Sequence, residues 1–141
     1  MTAMTGRCLC GQVTITVTGA PAKGIGVCHC GMCQRWTGGV FMAFTVPAAQ
    51  VTVDGEATSY PSSEFADRAF CPRCGSHLWF RGHDGPYELM PGLFDAAAAM
   101  PLVSEIYIDR AMASCRFAGE HRRSTAAEYE ADNPFVEGDA P

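Results

Sequence analysis

The chain has 141 residues, of which 48 % are hydrophobic and 18 % charged, so it carries enough apolar side chain for one sizeable core and is excluded from the disordered class. A formal net charge of -5, with Arg122 and Arg123 as the only adjacent basic pair and Glu120 and Glu128 around them, argues against nucleic acid as a partner. Met1–Arg7 lacks the apolar run of a signal peptide, and no segment approaches the roughly 18 consecutive apolar residues of a membrane helix. The expectation is a cytoplasmic protein with no membrane partner.

In chain order, Gln12–Thr18 alternates around Val13, Ile15 and Val17 and predicts a strand with one buried face. Gly19–Gly24 breaks it. Val40–Val46 is β-branched and aromatic and stops at Pro47. Gln50–Val53 leads into the turn signal Asp54-Gly55. Strands are also predicted at Ala57–Tyr60, Ala66–Phe70, His77–Arg81, Tyr87–Met90 and Glu105–Asp109. Helical signals are sparse: one or two turns within Phe94–Met100 before Pro101, and a short exposed helix or acidic tail at Ser124–Asp132, followed by an end that reads as frayed. The fold class expected is all-β in a single domain of many short strands, with residues 1–123 as the β domain and 124–141 as an acidic C-terminal tail or short helix.

Seven of the eight cysteines fall into three clusters: Cys8-Leu9-Cys10-Gly11, Cys28-His29-Cys30-Gly31-Met32-Cys33 and Cys71-Pro72-Arg73-Cys74-Gly75. In a reducing compartment these are thiolates for metal or catalysis rather than disulfides. Cys-x-x-Cys-Gly is a knuckle whose tight turn aims two sulfurs at one point, and structural zinc takes four ligands in a tetrahedron. Cys8 and Cys10, two apart on one face of a strand, can supply the other two. Cys8, Cys10, Cys71 and Cys74 therefore predict a closed four-sulfur zinc site.

Cys28 and Cys30 then share a strand face, with Cys33 returning through a turn at Gly31. Three protein ligands and an open position distinguish catalytic from structural zinc. Three thiolates on Zn²⁺ leave a net charge of -1, which disfavours making hydroxide and favours a soft sulfur ligand, so the cluster points to a thiol substrate. The competing reading is purely structural zinc, with His29 or His77 completing the second set. His29 lies between two ligands on a strand and should face away from the metal. Cys115 reads as a free cysteine on a strand, and Trp36, Trp79 and the phenylalanines as core.

Gly6-Arg-Cys8-Leu-Cys10-Gly11-Gln-Val13, Cys28-His-Cys30-Gly-Met-Cys33-Gln-Arg35 with Gly38 following, and Phe70-Cys71-Pro-Arg-Cys74-Gly75-Ser, in this order, resemble the glutathione-dependent formaldehyde-activating enzyme family, which includes centromere protein V relatives. The resemblance spans about residues 6–110. It implies a β-tent of short antiparallel strands around zinc–cysteine sites. It further implies one structural zinc on Cys8, Cys10, Cys71 and Cys74 and one catalytic zinc on Cys28, Cys30 and Cys33. The activity it implies is carbon–sulfur lyase chemistry on an adduct of an aldehyde with glutathione or another thiol, as in S-hydroxymethylglutathione formation. Glutathione carries two carboxylates, and Arg35 is the nearest cation in sequence to the second cluster, so Arg35 is the candidate contact to it. The alternative function is a non-enzymatic zinc-binding module with structural zinc only.

Overall fold

Val13, Ile15 and Val17 are all buried, as their alternation predicts, and the strand they define is one of eleven among the described residues. The structure is a computed structural model that describes residues 3–20 and 22–136. Its strands are β1 (Met4–Arg7), β2 (Thr14–Val17), β3 (Ile25–Cys28), β4 (Phe41–Val46), β5 (Val51–Asp54), β6 (Thr58–Pro61), β7 (Ala66–Phe70), β8 (His77–Gly82), β9 (Tyr87–Leu89), β10 (Leu102–Ile106) and β11 (Arg122–Ser124). Two α-helices join them, α1 (Gly31–Thr37) and α2 (Ala126–Asp132). The protein is mostly β-sheet, and no helix among the described residues is long and apolar enough to cross a membrane. The frayed end expected after Pro134 falls largely on residues 137–141, and Pro21 of the Gly19–Gly24 break is likewise outside the described residues.

The chain gathers into two units, each built from two separated segments: Met1–Lys23 with Ala43–Met100, and Gly24–Met42 with Pro101–Pro141. In the first, β1, β2 and β5 form one antiparallel ladder, with Ile15 opposite Val53 and Val17 opposite Val51. A second antiparallel ladder runs β6, β7, β8, β9 and on to the Phe44–Val46 part of β4. The core of this unit contains Val13, Ile15, Val17, Phe44, Val46, Leu78, Leu89 and Phe94, and Cys8 and Cys71 are buried among them. Burial of each large aliphatic or aromatic side chain in it stabilises by about 1.5–3 kcal/mol.

In the second unit β10 lies between β3 and β11, and both pairings are parallel, which departs from the expected antiparallel strands. Parallel neighbours require long connections, and here residues 29–101 separate β3 from β10. The predicted Glu105–Asp109 strand begins earlier and ends at Ile106, because Tyr107 takes φ 56° and turns the chain into a 3₁₀ turn at Ile108–Arg110. Strand β11 carried no sequence signal. The helix expected at Ser124–Asp132 is α2, started by a capping box in which Thr125 and Glu128 satisfy each other's backbone N–H groups.

Candidate metal centres

The four-sulfur cluster lies entirely in the first unit. Strand β1 ends at Arg7, so Cys8 and Cys10 sit in a turn rather than on the strand face expected for them. The Gly11 N–H donates to the Cys8 carbonyl (3.1 Å), and the Gly75 N–H donates to the Cys71 carbonyl (2.8 Å). Both glycines have positive φ, 83° at Gly11 and 78° at Gly75, a conformation that other residues adopt only with strain. Two similar turns therefore aim their sulfurs at one point. The sulfurs of Cys8, Cys10, Cys71 and Cys74 all lie within 4.8 Å of one another and can hold a metal ion. Cys8 Sγ is 3.6 Å from Cys10 Sγ, which is 3.8 Å from Cys71 Sγ. None of the eight cysteines is in a disulfide.

Polar groups around this cluster favour thiolate unevenly. The Val13 N–H donates to Cys8 Sγ at 3.3 Å. Hydrogen bonds from the hydroxyl and backbone N–H of Ser76 hold the Cys74 thiol down to about 5. At Cys10 the Gln12 N–H favours the thiolate, but desolvation and the sulfurs of Cys8, Cys74 and Cys71 outweigh it and push the thiol up to about 11. Thiolate is favoured at Cys74 and Cys8 and opposed at Cys10, and a bound cation would meet that opposition.

Ser76 was not apparent from the sequence. Its hydroxyl accepts from the Leu9 N–H (2.9 Å) and lies 3.2 Å from Cys74 Sγ, so it ties one turn to the other. Ser76→Ala is expected to weaken metal binding at this cluster about tenfold, the usual scale for losing a group that orients a ligand. Competition against a chromophoric chelator measures it, and unchanged affinity would refute the role given to Ser76.

The three-sulfur cluster lies entirely in the second unit. Cys28, Cys30 and Cys33 have their sulfurs within 4.8 Å of one another, and among the described residues neither His29 nor His77 belongs to a metal-ligating group. The strand face expected to carry both Cys28 and Cys30 ends at Cys28, and the predicted turn is helix α1. Cys30 is its N-cap, with extended backbone (φ -65°, ψ 159°), and its sulfur accepts from the Cys33 N–H at 3.5 Å. An N-cap side chain normally reaches the N–H three residues on, so Cys-x-x-Cys at a helix start brings the two sulfurs together. The sulfurs of Cys30 and Cys33, together with burial, push the Cys28 thiol well above its ordinary value. Arg35 is exposed in the last turn of α1. Cys115 ends a 3₁₀ turn, Ala113–Cys115, rather than lying on a strand, and joins neither cluster.

Next to this cluster is a buried polar network absent from the sequence reading. Glu105 is fully buried; its Oε1 lies 2.7 Å from His29 Nε2 and its Oε2 lies 2.6 Å from His121 Nε2. Arg123 Nε donates to the same Oε2 at 3.2 Å. Burial alone would raise the Glu105 carboxyl, but hydrogen bonds from His121 and His29 outweigh it and hold it below the ordinary carboxylate value. Buried Tyr107 donates its hydroxyl to Glu130 Oε2 of α2 at 2.8 Å. Glu105 within Val103-Ser-Glu-Ile-Tyr107 was the one available signal, a charge inside an otherwise strand-like run.

The sequence pattern of the glutathione-dependent formaldehyde-activating enzyme family matches residues 3–110, which takes in both clusters. The chain belongs to the glutathione-dependent formaldehyde-activating enzyme family. Within reach of this family, an uncharacterised lyase of Schizosaccharomyces pombe is 32 % identical over 107 residues, covering 74 % of this chain and 77 % of that protein. The lyase name of that relative and the family membership support an enzyme. A crystal structure of a Rhodobacter sphaeroides protein shares the fold, with TM-score 0.55 and 23 % identity over 71 % of this chain and 100 % of that one. His121, Arg123 and Glu130 lie beyond the family-matched residues.

Proposed function

We propose that the protein is a zinc-dependent carbon–sulfur lyase that makes or breaks the adduct of a thiol, glutathione foremost, with formaldehyde or a related small aldehyde. The observation that carries this reading is the three-sulfur cluster of Cys28, Cys30 and Cys33, separate from a four-sulfur one. Zinc is supported as the metal by the sulfur spacing: a tetrahedral ion with sulfurs about 2.3 Å away has edges of about 3.8 Å, and the contacts among Cys8, Cys10 and Cys71 are 3.6 and 3.8 Å. We assign one structural zinc to Cys8, Cys10, Cys71 and Cys74 and one catalytic zinc to Cys28, Cys30 and Cys33.

At the three-sulfur site zinc would supply an open position at which a thiol ionises near neutral pH. The chain's own part is to hold three thiolates on that side and leave the other for substrate. The sulfur lone pair of the substrate thiolate forms the S–C bond to the aldehyde carbon. The C=O π electrons move to oxygen, which takes a proton, and the reverse sequence is the lyase direction. We assign to Arg35, two residues past Cys33 and exposed, the contact to a glutathione carboxylate.

The test is a glutathione titration of the cobalt-substituted protein. Glutathione is expected to shift the ligand-field and thiolate charge-transfer bands, with affinity rising with pH below the thiol's own pKa because binding releases the thiol proton. S-methylglutathione, which cannot ionise at sulfur, should leave the bands unchanged. A spectrum indifferent to millimolar glutathione would overturn glutathione as the thiol.

A further inference from the structure

Glu105 is an anionic side chain with no exposure, and each of its contacts leads towards the turn that carries Cys28, Cys30 and Cys33 or towards the segment after Arg110. His29 is the joint. Its N–H donates to the Ile106 carbonyl at 3.1 Å, its own carbonyl accepts from Gln34 Nε2 at 2.6 Å, and its ring meets Glu105 Oε1 at 2.7 Å. An ionised carboxylate only accepts, so His29 Nε2 carries the hydrogen. The residue between two candidate ligands is therefore held at its donor, its acceptor and its ring. Its neighbours Cys28 and Cys30 inherit that fixed backbone.

The other side of Glu105 is occupied by residues outside the family-matched region. His121 is at 2.6 Å and Arg123 at 3.2 Å, and the second guanidinium arm of Arg123 donates to the carbonyls of Phe117 (2.9 Å) and Gly119 (3.0 Å). The Phe117 ring lies against His29, with centroids 6.4 Å apart. Replacing a whole buried ion-pair network by apolar side chains of similar volume is often neutral for stability, so stability alone is a weak reason for Glu105, His29, His121 and Arg123 to be gathered here. What this arrangement does achieve is a defined position for the backbone linking Cys28 to Cys30.

We infer that Glu105, with His121 and Arg123 from the C-terminal segment, is a positioning set for the three-cysteine metal site: it holds His29, and His29 holds Cys28 and Cys30 at ligating separation. The segment after Arg110 thereby takes part in building the site, although among the described residues it supplies no ligand. This rests on the reading that Cys28, Cys30 and Cys33 bind a metal. Groups that orient metal ligands typically change affinity by 10- to 100-fold when removed.

The experiment is a cobalt titration of the full chain whose four-cysteine cluster already holds zinc, with affinity read from the thiolate–cobalt charge-transfer band in competition with a chelator. Glu105→Gln and His121→Ala are expected to weaken cobalt binding at the three-cysteine site at least about tenfold, with the zinc at Cys8, Cys10, Cys71 and Cys74 retained. His121→Gln, which can still donate to Glu105 Oε2, should recover most of the loss. A merely structural role would lower the melting temperature without moving the cobalt affinity. If Glu105→Gln does not fold, the comparison of His121→Ala with His121→Gln decides. Parent-like cobalt affinity in the folded variants would overturn the inference. Parent protein that binds cobalt there but ignores glutathione would overturn the thiol substrate and leave this inference standing.

Discussion

Cys71→Ser is expected to leave the chain unfolded or insoluble. Cys71 is fully buried within the core that holds Val13, Ile15, Leu78 and Leu89, and it is one of four sulfurs gathered from residues more than sixty positions apart. A structural zinc contributes on the order of 10 kcal/mol of folding free energy. The whole stability of a domain is only about 5–15 kcal/mol. Losing the ion therefore removes most of it, and the serine hydroxyl adds about 1–3 kcal/mol as a buried polar group without a metal partner. Metal analysis with far-ultraviolet circular dichroism tests this. A folded Cys71→Ser protein with parent metal content would remove the structural role from this cluster. Cys115→Ser is the control, since Cys115 stands apart from both clusters, and its effect should stay within about 0.5 kcal/mol.

Cys33→Ser is expected to give a folded protein that has lost one metal and the lyase activity proposed for it. Cys33 is buried in the first turn of α1, and its sulfur is one of only three in its cluster, so a hydroxyl in its place removes a third of the thiolate set. The frame around it does not depend on that sulfur. The parallel pairings of β3, β10 and β11 remain, as do the Glu105 hydrogen bonds to His29 and His121. The stability cost should be about 1–3 kcal/mol, that of a polar atom at a buried site. Metal content before and after reconstitution, beside the melting temperature, separates this outcome from the first. If Cys33→Ser and Cys71→Ser lose metal equally and both stay folded, the assignment of one structural and one catalytic site is wrong.

The strands of the first unit were largely legible because alternation is a local property. Val13, Ile15 and Val17 announce a buried face by spacing alone, and Ala66–Phe70 was placed to the residue. Both cysteine clusters were likewise legible, since two or three cysteines a turn apart constrain their sulfurs wherever the chain goes. Local backbone at the ligands was less so. Helix α1 opens on Gly31 and is capped by a cysteine, and the Cys8–Gly11 turn looks like the end of a strand. Each carries the right sulfurs on an element different from the one expected.

By itself the sequence determined which cysteines come together, because short spacings keep their sulfurs within reach of one another. Tertiary structure decided what surrounds them. Ser76 meets Leu9 across 67 positions, Glu105 meets His29 across 76, and Tyr107 reaches Glu130 across 23. Parallel pairing of β10 with β3 and β11 is decided at the same range. No periodicity records such pairs. A buried carboxylate and a solvated one are the same letter, and only the folded chain removes the water that makes the difference.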